Sequence, residues 1–164
     1  MRQRFNYTDA ELDDLRTRRK VKTSGTRPKN KGQFVEQQYT LEAVGDPGLK
    51  FRLYSKHLPR LDGGFSVGLS LLLPERDLTL CRYNGGSHAH KNEIEGDSFG
   101  FVCHIHYARA EYLRRGKHDD GYALPTHRFS TVENALLCIL QDCNIHGIVD
   151  LGDSDPNTLD LFER

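Results

Sequence analysis

The 164-residue chain predicts an α+β domain: a curved antiparallel sheet of about five strands packed on a C-terminal helix, with a short N-terminal helix. Three observations carry this expectation. From Gln33 to Ala108 apolar residues recur with period two, the signature of half-buried strands. Short turn-rich segments join these runs, which favours an antiparallel meander over parallel crossover units. From Val132 to Cys143 the apolar spacing changes to steps of three and one, the stripe of a helix lying on a sheet.

The elements follow in order. Thr8-Asp9-Ala10-Glu11 is a capping box, with Tyr7 and Leu12 placed as a hydrophobic staple, and predicts a helix to about Lys20. Its apolar stripe is only Ala10, Leu12 and Leu15, which places the helix on the surface. Thr23 to Gly32 has no periodicity and reads as a flexible basic linker. Val35, Tyr39, Leu41 and Ala43 share one face of a first strand, and Gly45-Asp46-Pro47-Gly48 turns the chain. Leu49, Phe51 and Leu53 line the second strand; Phe65, Val67, Leu69, Leu71 and Leu73 line the third. Leu78, Leu80 and Arg82 face one way on the fourth strand, with Cys81 and Tyr83 opposite. Phe99, Phe101, Cys103, Ile105 and Tyr107 form the apolar face of the fifth. Ala108 to Arg115 reads either as a short helix ended by Gly116 or as the strand running on. Ser130-Thr131-Val132-Glu133 is a second capping box, opening a helix whose Leu136, Ile139 and Leu140 are expected to pack on Phe101 and Cys103. Ile148 to Leu151 reads as a short edge strand. The expected organisation is a basic helix and linker arm over 1–32, one α+β domain over 33–147 and an acidic tail over 148–164.

Charge is balanced overall, with 23 Lys and Arg against 23 Asp and Glu, so no bulk electrostatic argument for nucleic acid or membrane holds. The balance hides an asymmetry: residues 1–32 carry a net charge of about +6 and the remainder about −6. The basic front reads as a phosphate-contacting arm, or as a solvated helix and linker that could be removed without unfolding the domain. No apolar run reaches the ~18 residues of a membrane span. Met1 to Asn6 leads into no apolar signal segment, so the cytoplasm is the expected location. Cys81, Cys103, Cys138 and Cys143 stand singly in apolar surroundings and read as reduced core thiols.

The histidines carry the chemistry. Of eight, four form two His-x-His pairs, His88-Ala89-His90 and His104-Ile105-His106. Residues i and i+2 of a strand share a face, so His104 and His106 project together, opposite Ile105 and Tyr107. The first pair sits in a glycine-rich loop that can fold back over them. Two chemistries suit such a cluster. In metal-free phosphodiester cleavage, a small endoribonuclease being the leading case, His90 and His104 or His106 serve as acid and base. His88 then orients them, Arg82 holds phosphate, and Tyr83, Lys91, Asn92 and Arg109 contact substrate. In the metal reading, His88, His90, Glu95, His104 and His106 supply ligands for zinc, iron or manganese. The spacing His88-x-His90 with Glu95 resembles the first metal motif of cupins, over those eight residues; the glycine upstream and a second His-bearing motif are not where a cupin has them. A third reading is a non-enzymatic module whose arm binds nucleic acid or whose acidic tail binds a protein. His57, His118, His127 and His146 have no comparable company.

Leu80-Cys81-Arg82-Tyr83-Asn84-Gly85, then His88-Ala89-His90 with Asn92, then His104-Ile105-His106 resembles a poorly characterised group of small bacterial His-x-His proteins. The similarity covers about residues 33–146, including the C-terminal helix. Some small families of this kind are regarded as toxin-like members of toxin–antitoxin systems. The resemblance therefore implies RNA cleavage and a cognate protein partner. The net acidic body departs from the strongly basic composition usual for such toxins.

Overall fold

The computed structural model describes residues 5–148. The chain is α+β and carries more strands than expected. Helix α1 (Asp9–Thr17) is followed by β1 (Lys20–Gly25), β2 (Lys29–Lys31), β3 (Phe34–Ala43), β4 (Asp46–His57), β5 (Phe65–Leu71) and β6 (Leu78–Asn84). Then come the small hairpin β7 (His90–Lys91) and β8 (Ser98–Phe99), β9 (His104–Tyr107), α2 (Ala110–Arg114), β10 (Tyr122–Pro125), α3 (Val132–Asp142) and β11 (Ile145–His146). Nine strands form one curved sheet in the order β10-β9-β6-β5-β4-β3-β1-β11, with β2 on β3 and β7-β8 apart. All its ladders are antiparallel except β1 with β11.

Two faces follow from the pleat and the register. Cross-strand partners share a face, so Leu41, Phe51 and Leu71 align, as do Leu53, Leu69 and Cys81. These side chains are buried under α1 and α3. On the opposite face, one row runs Gln38, Tyr54, Gly68, Arg82, His106 and Ala123 from β3 to β10. The next row runs Glu36, Lys56, Ser66, Asn84, His104 and Pro125. The polar face is thus where both β9 histidines point.

Several elements differ from the sequence reading. The expected linker is strand: β1 joins β3 and β11, and β2 joins β3, so the 1–32 boundary cuts through the sheet. Its spacing carries no period because most of β1 and β2 is exposed on both faces. A register shift opposite Leu69 and Ser70 makes Leu80 an extra residue, turning Leu78 to the core face while Arg82 points the other way. The expected strand over 99–107 is interrupted: Phe99 belongs to the small hairpin, Phe101 is exposed, and β9 begins only at His104. Tyr122–Pro125, unassigned in the sequence reading, pairs with β9 as an edge strand. Of the expected edge strand and acidic tail, 149–164 lie outside the described residues, and the pairing strand is Ile145–His146. Residues 108–115 take the helical alternative, and Gly116 closes α2 at φ 67°.

The first helix is a core element. Its capping box forms as read, with Glu11 N donating to Thr8 Oγ1 and Thr8 N donating to the Glu11 carboxylate. Leu12 is fully buried and Leu15 nearly so. Arg16 Nη1 donates to the carbonyls of Leu80 and Ala108, and Ala110 N donates to Asp9. Just beyond, the Lys20 side chain is buried, and its ammonium donates to the carbonyls of Arg16, Arg18 and Cys143 at 2.7–3.0 Å. Burial lowers its pKa to about 8. Two further side chains of the basic front are paired, Arg18 with Asp14 and Lys31 with Glu36.

At the other end α3 caps on Thr131, whose side chain accepts from Asn134 N, one residue later than the capping box predicts. Its buried residues are Ala135, Ile139 and Leu140; Leu136 is half-buried. Cys81 and Cys143 meet in the core with sulfurs 3.6 Å apart, and all four cysteines are free. No helix among the described residues is long and apolar enough to cross a membrane.

Leu12→Ala and Ile139→Ala are each expected to cost about 2–5 kcal/mol in urea denaturation, because both remove fully buried side chains. Deletion of residues 1–32 is expected to unfold the chain, since it removes α1, β1 and Lys20 together; a folded truncation by circular dichroism would contradict this docking.

Candidate metal centre

The site is built on β9 and on the loop after β6. His104 and His106 are 0% and 3% exposed. Each Nδ1 lies against a backbone carbonyl: His104 on Val102 at 2.8 Å, His106 on Asp120 at 2.7 Å. A carbonyl can only accept, so Nδ1 carries the proton and Nε2 carries the lone pair. Both Nε2 atoms are buried with no hydrogen-bond partner.

His88 completes the group. Its ring is 5.0 Å from that of His104, and nitrogens of His88, His104 and His106 lie within 4.8 Å of one another. It is exposed, so it is the one with room to swing. The loop bearing it is pinned by close backbone approach: a Cβ on Gly85 would lie 2.0 Å from the Gly63 carbonyl oxygen, and one on Gly86 3.1 Å from that of Phe101. These glycines permit the close backbone contact.

Burial is the main cause of the electrostatics here. It lowers the pKa of His104 to about 4 and that of His106 to about 3, with Arg82 and the neighbouring imidazoles adding to the effect. His88 is shifted down as well, by burial first and Arg82 next. The acid and base roles read from the sequence need both charge states near neutral pH; burial instead favours the neutral rings.

The other candidates are distributed as follows. His90 packs on both β9 rings, at 5.8 and 4.7 Å, while its Nε2 lies 3.0 Å from both Asn92 Oδ1 and the Gly121 carbonyl, so it stands beside the group rather than in it. Arg82 neighbours His106 across the ladder, and its Nε is 2.8 Å from Asp120 Oδ2. Lys91 lines the cleft over the site. Asn92, expected to touch substrate, is fully buried; its amide donates to the Ala123 carbonyl and accepts from Ala123 N, clamping the hairpin to β10. Tyr83 points into the core, stacked on Phe129 and bonded to Asp142, because its parity on β6 is opposite to that of Arg82. Glu95, expected as a ligand, accepts from Tyr112 Oη at 2.7 Å and ties the hairpin to α2. The Arg109 guanidinium lies over the Tyr122 ring at 4.0 Å. Tyr83, Asn92, Glu95 and Arg109 therefore serve the framework.

The cleft holds about 390 Å³ and is lined by Arg82, His88, His90, Lys91 and His106, and by Tyr54, Glu93, Lys117, His118 and Asp120, which the sequence reading missed. Tyr54 could have been found from parity, since its ring lies over Gly68 in the histidine row. Asp120 and His118 sit in a loop without periodicity and give no such signal.

No protein-family model, curated protein or solved structure matches the chain in comparison with known proteins.

Acid is expected to destabilise the metal-free protein through these rings. Their folded pKa values lie below the ordinary 6.5, so the unfolded state takes up protons first as pH falls. Stability is complete above pH 6.5 and is lost progressively toward pH 4 and 3. The loss is on the order of 3 kcal/mol for His104 alone. Urea midpoints at pH 7 and pH 4.5, compared with those of His104→Gln, measure it; a variant with the same acid sensitivity would remove His104 as the cause.

Proposed function

We propose that His88, His104 and His106 hold one divalent metal ion and that the protein is a metal-dependent hydrolase of phosphodiesters. The observation that carries the reading is the pair of buried, partnerless Nε2 atoms, each fixed as an acceptor by an Nδ1–carbonyl contact. A buried lone pair with no donor is costly, and a metal ion satisfies it. A histidine ligand whose other nitrogen bonds a backbone carbonyl is the usual arrangement in metal sites. Neutral imidazole is also the ligating form, which burial enforces. The same burial makes the β9 histidines poor proton donors near pH 7, so metal chemistry is better served than a metal-free acid–base pair.

His88, His104 and His106 would supply the three protein ligands typical of catalytic zinc sites. A divalent ion held there would supply a Lewis acid and would lower the pKa of water toward neutrality. The chain does the rest. Asp120 orients His106 through its carbonyl and Arg82 through its carboxylate. Arg82, beside His106, is placed to meet an anionic ester. His90 shields the β9 rings from the hairpin side.

Purified protein loaded with zinc or manganese and then desalted is expected to retain about one metal per chain by elemental analysis. His104→Ala and His106→Ala should each lose it. Hydrolysis of bis(p-nitrophenyl) phosphate should appear with metal and stop with chelator. Arg82→Ala should keep the metal and lower the rate by roughly tenfold or more. Retention of no metal by the folded wild type would overturn the proposal.

A further inference from the structure

The polar face continues past the imidazoles. Beyond His88 a second depression of about 440 Å³ shares Tyr54, Arg82 and His88 with the first and adds Phe34, Lys56 and Phe65. A third, of about 530 Å³, shares Phe34 and Leu58 with the second and reaches Arg60. The three depressions thus form one track, crossing the sheet from the β7–β8 hairpin over β6, β5 and β4 to β3.

We propose that this track binds a single-stranded nucleic acid, with a phosphodiester at the His88–His104–His106 centre and bases seated along Phe34 and Tyr54. The inference rests on the metal-hydrolase reading and assigns its substrate class. Three features carry it. The first is length: β6 to β3 spans three strand spacings, on the order of 15 Å, which is two or three nucleotides of extended chain. The second is side-chain chemistry. Rings and cations interleave: Lys56 Nζ lies 4.0 Å from the Phe34 ring centroid, Phe34 and Tyr54 are only half-buried, and Arg82 stands between Tyr54 and the histidines. Sequence-tolerant single-strand grooves pair stacking rings with backbone-tracking cations in this way. The third is charge. Around the first two depressions Arg82, Lys56, Lys91 and Lys117 outnumber the lining acids Glu93 and Asp120, although the chain beyond residue 32 is net acidic. Glu36 also approaches Lys56, at 3.6 Å, and is shared with Lys31 at 3.1 Å, so that end of the track is net positive too. The track lies on the face of the sheet, so it offers a peptide no sheet-edge pairing.

The test uses the full chain in chelator, so that binding is read without turnover and independently of the metal. Fluorescently labelled oligonucleotides of two, four and eight residues, in RNA and DNA form, are titrated by anisotropy beside a duplex of the same sequence. Affinity is expected to rise from two to four residues and to weaken steeply with salt. Phe34→Ala should weaken binding about five- to a hundredfold, and Lys56→Ala about tenfold, with unchanged circular dichroism and unchanged metal content after loading. A preference between RNA and DNA names the sugar, and either one bound supports the track. Absence of single-strand binding, tighter binding of the duplex, or a folded Phe34→Ala with wild-type affinity overturns it. A chain that binds oligonucleotide but retains no metal fails the hydrolase reading and leaves the track standing.

Discussion

A backbone carbonyl accepts hydrogen bonds and cannot donate them, and the site depends on that limit. Val102 and Asp120 each present such an oxygen to a β9 imidazole. The tautomer of both rings is fixed from behind, so both lone pairs are directed away from the backbone that anchors them. Burial then prevents protonation from relieving the arrangement. The Asp120 carbonyl and carboxylate serve different partners, His106 and Arg82, so one residue sets the orientation of a ligand and of its neighbouring cation.

The framework around the site follows the same economy of polar groups. Asn92 is wholly buried, yet its amide meets both backbone groups of Ala123 as well as His90. Lys20 is buried with its three donors spent on three carbonyls, two at the end of α1 and one at the end of α3. Helix C-termini carry partial negative charge, which compensates the ammonium for its lost hydration. Asn92 and Lys20 are thereby bound to structure distant in sequence.

Much of the fold is legible in the sequence because period and parity are local properties. The alternation in β3 to β6 assigns core residues such as Leu41, Phe51 and Leu69, and the steps of α3 assign Ile139 and Leu140. Parity also puts His104 and His106 on one face, and the loop pair does fold back to them. What escapes is whatever depends on tertiary cover. β1 and β2 lack a pattern because exposed edges impose none. The bulge at Leu80 changes parity by one residue with no compositional mark. Tyr83 and Glu95 sit beside the right motifs, but one falls on the wrong face and the other is captured by Tyr112. Burial of the β9 pair is set by β10 and the hairpin, which no local pattern announces.

The pairing of β1 with β11 joins Lys20 to Ile145, and the Lys20 ammonium reaches Cys143 across nearly the same distance in sequence. Almost the whole described chain must therefore emerge from a ribosome before its first strand has its last partner. The α1–β1 segment waits through synthesis with Leu12 and the Lys20 side chain uncovered, and the closing step is a long-range contact, the slow kind.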